Sequence, residues 1–507
     1  MSPLVPASLQ LPRSQPSSQG AMPLVAALRR CRDAPDAAFY TPGHKRGRGI
    51  SQALQDLLGK TVFQADLPEL PALDNLFAPE GAIAQAQTLA AELFGADHTW
   101  FLANGSTCGL QAAVLATCRP GDRLILPRNC HQSAIAALIL AGVHPIFVQP
   151  EVDSDWGLAH GLTPDAVAAA LAQYPDARAV MLVSPTYYGM CSDVRAIAHV
   201  AHQHQIPLIV DEAHGAHLAF HSQLPASALE AGADLVVQST HKVLSALTQA
   251  SMLHLQGPWV DPARVCRALP LVQSSSPSYL LLASLDAARH QMAHHGAELM
   301  ARTLDLAAQA RDHLAAIPQL KVLSLPAPTP GCAALDPTRL TVDVSPLGMT
   351  GFAADDCLSQ QWQVTCELPG LRHLTFIISL GNTPADIDAL VQGLGAIAAT
   401  HSPTAAPIAP LAPFQMPGSI QVPPVSPRDA FFALAETVLL VDAGDRLSAE
   451  MVCPYPPGIP VLLPGDRLTA AALEYLTQVQ AAGGVITGCE DASLTTLKVL
   501  CRDPTLS

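Results

Sequence analysis

The chain has 507 residues, 49% hydrophobic and 14% charged, enough to bury the cores of two or three domains and too apolar for a disordered protein. Its 27 basic and 42 acidic residues give a net charge of −15, the wrong sign for a nucleic-acid partner. No apolar run is long and charge-free enough to span a bilayer, so no membrane partner is expected.

The twelve cysteines show neither a CxxC pair nor a zinc-like spacing. Buried free thiols in a reducing, cytoplasmic setting are the expectation, with no metal site. The acidic balance suits a cationic small substrate, although most acidic surfaces are only solvated.

Residues 1–35 read as a disordered or extended tail: Met1 to Gly20 is rich in Ser, Pro and Gln and lacks the apolar core of a signal peptide. Short apolar runs then alternate with helical patterns. The predicted strands are His98–Leu102, Arg123–Leu126, Pro145–Val148, Val180–Val183, Pro207–Val210 and Leu235–Gln238. Helical stretches such as Cys108–Ala116 and Val194–His204 lie between them. This alternation predicts an α/β domain over 36–300, with a mostly parallel sheet covered on both faces. Right-handed crossovers place all strand C-termini at one edge, where ligands bind.

Leu280–Ile317 reads as mostly helical and leads out of this domain. Residues 301–400 predict a small α+β domain, 401–428 a Pro-rich linker, and 429–507 a C-terminal α+β domain.

Only five lysines are present: Lys45, Lys60, Lys242, Lys321 and Lys498. Lys242 follows a strand in Gln238-Ser-Thr-His-Lys242, which puts its amine at the ligand edge; a surface lysine in a loop has the same look. The strand Pro207–Val210 ends in Asp211-Glu-Ala-His214. A carboxylate at a buried strand tip needs a cation or several donors, unless it caps the next helix. Asp211 precedes Lys242 by 31 residues, about one strand–helix–strand unit, so adjacent strands bring both to one place.

Asn104-Gly-Ser-Thr107 lies between a strand and a helix, where backbone N–H groups and hydroxyls can cradle a phosphate; N-caps look the same. His131, after another strand, presents a flat ring in what is otherwise an ordinary loop. A lysine, a buried carboxylate, a phosphate turn and a stacking ring at one sheet edge together match the needs of pyridoxal 5′-phosphate.

At these residues the sequence resembles the Orn/Lys/Arg decarboxylases. The matching stretches are Phe39-Tyr-Thr-Pro-Gly-His-Lys-Arg-Gly47, Asp66-Leu-Pro-Glu-Leu-Pro-Ala-Leu-Asp74, Pro79-Glu-Gly81, the region Asn104–Ser133, Asp211-Glu-Ala-His-Gly-Ala-His217 with Ser239-Thr-His-Lys242, and Ser448-Ala-Glu450 with Pro454-Tyr-Pro-Pro-Gly-Ile-Pro460. The last box is the most specific, because it is not a general feature of pyridoxal-phosphate enzymes. The resemblance runs from about residue 36 to residue 490.

It implies the aspartate-aminotransferase-like fold type I, with a mostly parallel seven-stranded sheet in the large domain. It implies that Lys242 holds pyridoxal 5′-phosphate as a Schiff base, Asp211 pairs with the ring nitrogen, His131 stacks on the ring and His214 flanks it. Ser106, Thr107, Ser239 and His241 resemble phosphate ligands, and Thr186 and Tyr188 would lie near the 3′-hydroxyl side. Ser275 and Ser276 resemble a segment reaching the neighbouring subunit, so a homodimer with interfacial sites is implied. Glu450 is the implied partner of the substrate's distal cation; a surface glutamate is the alternative. Longer members carry an N-terminal flavodoxin-like wing domain, and the early position of the PGHK box leaves no room for it.

The implied reaction is decarboxylation of a basic L-amino acid, arginine or lysine ahead of ornithine, to a di- or polyamine precursor and CO₂. An aminotransferase or carbon–carbon lyase of the same fold is the nearest alternative. A non-catalytic regulatory relative would lack Lys242 or Asp211, and both are present.

Overall fold

A computed structural model of the chain describes residues 19–400, 415, 418–455 and 458–502. The central sheet has eight strands among these residues. In chain order they are β1 His98–Leu102, β2 Arg123–Pro127, β3 His144–Val148, β4 Ala177–Val183, β5 Leu208–Asp211, β6 Leu235–Gln238, β7 Ser251–Leu255 and β8 Ile420–Gln421. Their spatial order is β1-β7-β6-β5-β4-β2-β3-β8.

The run from β6 to β3 is parallel, and β1, β7 and β8 join antiparallel. Every residue of β5 and β6 is buried, as expected of strands covered on both faces. The helix Gly105–Thr117 packs closely on the sheet because Gly109 has no side chain; a methyl there would lie 2.7 Å from Leu102 Cδ1 and 2.8 Å from Val237 Cγ1. That close approach sets the helix N-terminus beside the C-terminal ends of the parallel strands.

The 37-residue helix Tyr279–Ala315 spans two cores. Leu282, Leu285 and Met292 pack into the large domain, and Leu306, Ala310 and Leu314 into the small one. The small domain is a four-stranded antiparallel sheet with Arg339–Asp343 and His373–Ile377 at its centre. Helix Pro384–Thr400 covers it through Ile387, Leu390 and Leu394. In the C-terminal domain, Val452, Leu462, Leu476 and Val499 form a separate core.

Three expectations change. Residues 23–33 are not an extended tail: Pro23–Asp33 is a helix whose Leu24 and Ala27 are fully buried, and Leu24 N donates to buried Asp286 Oδ2 at 2.9 Å. The large domain therefore begins before residue 36. The sheet gains an eighth strand because Ile420 and Gln421 pair with Val148 and Phe147 at the open edge of β3. The tail's first 18 residues and most of the expected 401–428 linker lie outside the described residues. Among the described residues, no helix is long and apolar enough to cross a membrane.

Two of the conspicuous N-terminal boxes serve the fold. His44 Nε2 meets Asp66 Oδ2 at 3.0 Å, joining the PGHK turn to the next box. Asp74 accepts backbone N–H bonds from Glu80, Gly81, Ile83 and Ala84 and so caps the following helix.

Candidate active site

Lys242 stands in the short turn after β6, and Asp211 ends the adjacent strand β5. Asp211 is 4% exposed. Burial pushes its carboxyl up to about 6, against the pull of the Lys242 amine and the Ala213 N–H. Burial drives the Lys242 amine down from the usual lysine value. Asp211 opposes that shift, Arg339 adds to it, and Glu367 opposes it.

His214 Nε2 lies 3.0 Å from Lys242 Nζ. The His214 ring is 4.5 Å from the Tyr187 ring, and Lys242 Nζ sits 5.7 Å from the centre of Tyr187. Arg339, fully buried at the start of a small-domain strand, donates from Nη2 to His214 Nδ1 at 3.2 Å and to His214 O at 3.0 Å. Gly189 gives it room: a methyl there would lie 2.8 Å from Arg339 Cβ.

His131 caps the helix Gln132–Ala141, with Nδ1 accepting from Ser133 N at 3.2 Å. Burial is the main cause that lowers it to about 4, so it is neutral at physiological pH. The C-terminal box comes alongside at Gly458, where a methyl would lie 4.0 Å from His131 Nε2. Pro456 and Pro457 of that box lie outside the described residues.

Ser239 Oγ donates to Ser106 Oγ at 2.8 Å, uniting two of the expected phosphate ligands. Ser106 and Thr107 occupy the first turn of a helix without a side-chain cap, which leaves N–H donors available. Thr240 Oγ1 beside them is buried with no hydrogen-bond partner among the described residues. His241 Nδ1 is 3.1 Å from Ala250 O. An uncapped helix start, two joined hydroxyls, a spare buried hydroxyl and a buried carboxylate near a lysine fit an anionic pyridine aldehyde such as pyridoxal 5′-phosphate.

Other residues fall elsewhere. Tyr187 reaches Lys242, whereas Tyr188 lines a separate cleft with Trp156, Phe352 and Tyr475. Thr186 holds its own turn, Oγ1 accepting from Met190 N at 3.2 Å. Ser275 and Ser276 are exposed, and the adjoining Ser274 N donates to Asn104 Oδ1 of the same chain's phosphate turn at 3.4 Å. The two Glu450 oxygens accept from Glu490 N at 2.9 Å and Lys498 N at 2.8 Å, both within its own domain. The second carboxylate that acts on Lys242 is Glu367, which also acts on Arg339 and Tyr187. Sequence reasoning missed Arg339 and Tyr187, since no local motif marks them.

The family model for the Orn/Lys/Arg decarboxylase major domain matches residues 22–330, and that for the C-terminal domain matches residues 415–491. The chain belongs to the Orn/Lys/Arg decarboxylase family. It is an amino-acid decarboxylase. The decarboxylase is 38% identical over 491 residues to the arginine decarboxylase of Bacillus subtilis, covering 95% of this chain and 98% of that protein. It is 39% identical over 472 residues to the arginine decarboxylase of Halalkalibacterium halodurans, covering 91% and 94%. Its fold superposes on the Francisella novicida lysine decarboxylase LdcF with a TM-score of 0.82 at 22% identity, covering 94% of this chain and 81% of that one.

Proposed function

We propose that the decarboxylase removes CO₂ from L-arginine, using pyridoxal 5′-phosphate held by Lys242. The observation that carries the reading is the meeting of Lys242, buried Asp211 and His214 at the strand edge beside the Ser106–Ser239 hydroxyl pair. When bound, pyridoxal phosphate supplies an electron sink for the pair released as the α-carboxylate departs.

The chain's own residues do the rest. The Lys242 amine, its proton weakened by burial, is the nucleophile that binds the cofactor aldehyde. Asp211 receives the ring N–H and keeps that proton in place. Ser106, Thr107, Ser239 and the free N–H groups of the helix Gly105–Thr117 hold the phosphate. His131, neutral and half-buried, offers a flat face to the ring.

Glu367 is the proposed partner of the substrate's distal cation, in place of Glu450. What supports it is that Glu367 is exposed and that its charge favours the Lys242 ammonium. A carboxylate accepts a guanidinium through two parallel bonds, whereas an ammonium is a point charge. Arginine is placed before lysine because relatives aligned over more than nine-tenths of this chain are arginine decarboxylases.

A homodimer remains part of the proposal. Phe39, Leu57 and Leu271 are each at least 75% exposed, and Leu271 adjoins the Ser275–Ser276 segment.

The test is to supply the protein with pyridoxal phosphate and arginine, lysine or ornithine separately and to identify the amine by mass. Arginine should give the fastest release of amine. A faster reaction with lysine or ornithine overturns the substrate choice, and absence of amine from all three overturns the reaction.

A further inference from the structure

The three side chains Arg339, His214 and Lys242 form a line in which the hydrogens can be counted. A guanidinium can only donate hydrogen bonds. Arg339 Nη2 lies 3.2 Å from His214 Nδ1, so Nδ1 must carry the lone pair. A neutral imidazole has one N–H, which is then on Nε2. Nε2 is 3.0 Å from Lys242 Nζ, so Nζ accepts this proton's hydrogen bond and needs a lone pair of its own. An ammonium on Lys242 would demand a lone pair on Nε2 as well. Both ring nitrogens would then be acceptors, which no neutral imidazole provides.

We infer that Arg339 is a positioning residue that fixes the proton of His214 on Nε2 and thereby holds the Lys242 amine in its neutral, nucleophilic form. The inference rests on the reading of Lys242 as the cofactor lysine. The groups that face Lys242 and His214 are Asp211, His131, His217, Tyr187, Arg339 and Glu367. Asp211 and Glu367 favour the ammonium, and the Arg339–His214 pair opposes them. Burial keeps His214 neutral, well below the ordinary histidine value, as the count requires.

Arg339 is suited to this part. It is 0% exposed, and its Nε and Nη1 have no hydrogen-bond partner among the described residues. Its aim is set by the donation to His214 O and by Arg311, which donates to the Arg339 carbonyl. Asp336, two of whose bonds come from Thr338, supplies negative charge nearby. Arg339 belongs to the small domain, so the proton state of Lys242 depends on how that domain seats against the large one.

Capture of the cofactor forms a C=N bond between Lys242 Nζ and the aldehyde carbon. The aldehyde oxygen leaves as water with the two amine hydrogens. Only the neutral amine reacts, so the rate of capture measures its fraction.

The experiment uses the full-length apoprotein. Pyridoxal phosphate is added at a series of pH values on both sides of neutrality. The rise of the visible absorbance of lysine-bound cofactor is followed. Wild type should keep fast capture through neutral pH. Arg339→Met should move the acid limb to higher pH, and a limb displaced by about one pH unit slows capture at neutral pH about tenfold. Arg339→Gln, which keeps an N–H donor without the charge, should move it less than Arg339→Met does. His214→Phe should move the limb by itself, and adding Arg339→Met to it should move it less than Arg339→Met moves it alone.

A limb displaced as far in Arg339→Gln as in Arg339→Met overturns the inference, since charge alone would then explain it. An unchanged limb in His214→Phe also overturns it and does not depend on the Arg339 variants folding. Wild type that develops no absorbance overturns the cofactor reading instead.

Discussion

Arg128 Nη2 and Asp466 Oδ2 form a buried ion pair at 2.9 Å that joins the loop after β2 to the C-terminal domain. Arg128 also donates to Pro460 O at 2.7 Å and Val461 O at 2.8 Å. The same arginine thus anchors the proline-rich box whose Gly458 passes beside His131. Arg128→Met leaves Asp466 buried without its cation, so it should lower stability by about 3–5 kcal/mol. Arg128→Met with Asp466→Leu should recover part of the loss. Thermal unfolding of the three proteins checks this; a double variant less stable than Arg128→Met contradicts it.

Asp211→Asn should retain bound cofactor and lose on the order of 100-fold or more in kcat, because only the electrostatics of the ring nitrogen change. Absorbance and turnover measured on one sample separate the two effects. Turnover comparable to wild type would make Asp211 a structural cap.

The same residue gives a pH signature in the apoprotein. Folding raises the Asp211 carboxyl from 3.8 to about 6, so the folded chain binds that proton more tightly than the unfolded chain. Its stabilising contribution is fully present below the unfolded value and is lost as pH rises through about 6. The loss amounts to roughly 3 kcal/mol at most. Glu212, raised to about 8, adds a slope of the same sign in any variant. The difference between wild-type and Asp211→Asn denaturation curves isolates Asp211. A difference that does not change between about pH 4 and about pH 7 contradicts this account.

Glu367 and Glu450 should part company. Glu367→Gln removes a charge-assisted contact with the substrate, worth roughly 2–4 kcal/mol, or on the order of 30- to 1,000-fold in kcat/KM. Glu450→Gln weakens two charge-assisted bonds to backbone N–H groups, so it should lower stability by about 1–3 kcal/mol and leave kcat/KM within about threefold. Steady-state kinetics and thermal unfolding of both variants decide between them. The reverse pattern restores Glu450 as the cation site.

The features legible in the sequence are those written locally. The strand Leu235–Gln238 is readable to the residue because its apolar run stops next to Ser239-Thr-His-Lys242. Asp211 is readable because a carboxylate ends an apolar run. Arg339 is not, since it reaches His214 across the domain junction from more than 90 residues beyond Lys242. The helix Pro23–Asp33 is hidden for a similar reason: its first N–H groups are satisfied by Asp286, 262 residues away. Tyr187 and Tyr188 are adjacent, and only the turn closed by Gly189 N on Thr186 O at 2.9 Å decides which ring faces Lys242.

The central claim is that Lys242 anchors the cofactor on which decarboxylation depends. Borohydride reduction of the cofactor-loaded protein, followed by peptide mapping, tests it most directly. The account predicts a phosphopyridoxyl group on Lys242 and no visible absorbance from Lys242→Ala. A phosphopyridoxyl group on Lys45, Lys60, Lys321 or Lys498 instead, or on no lysine at all, would contradict it.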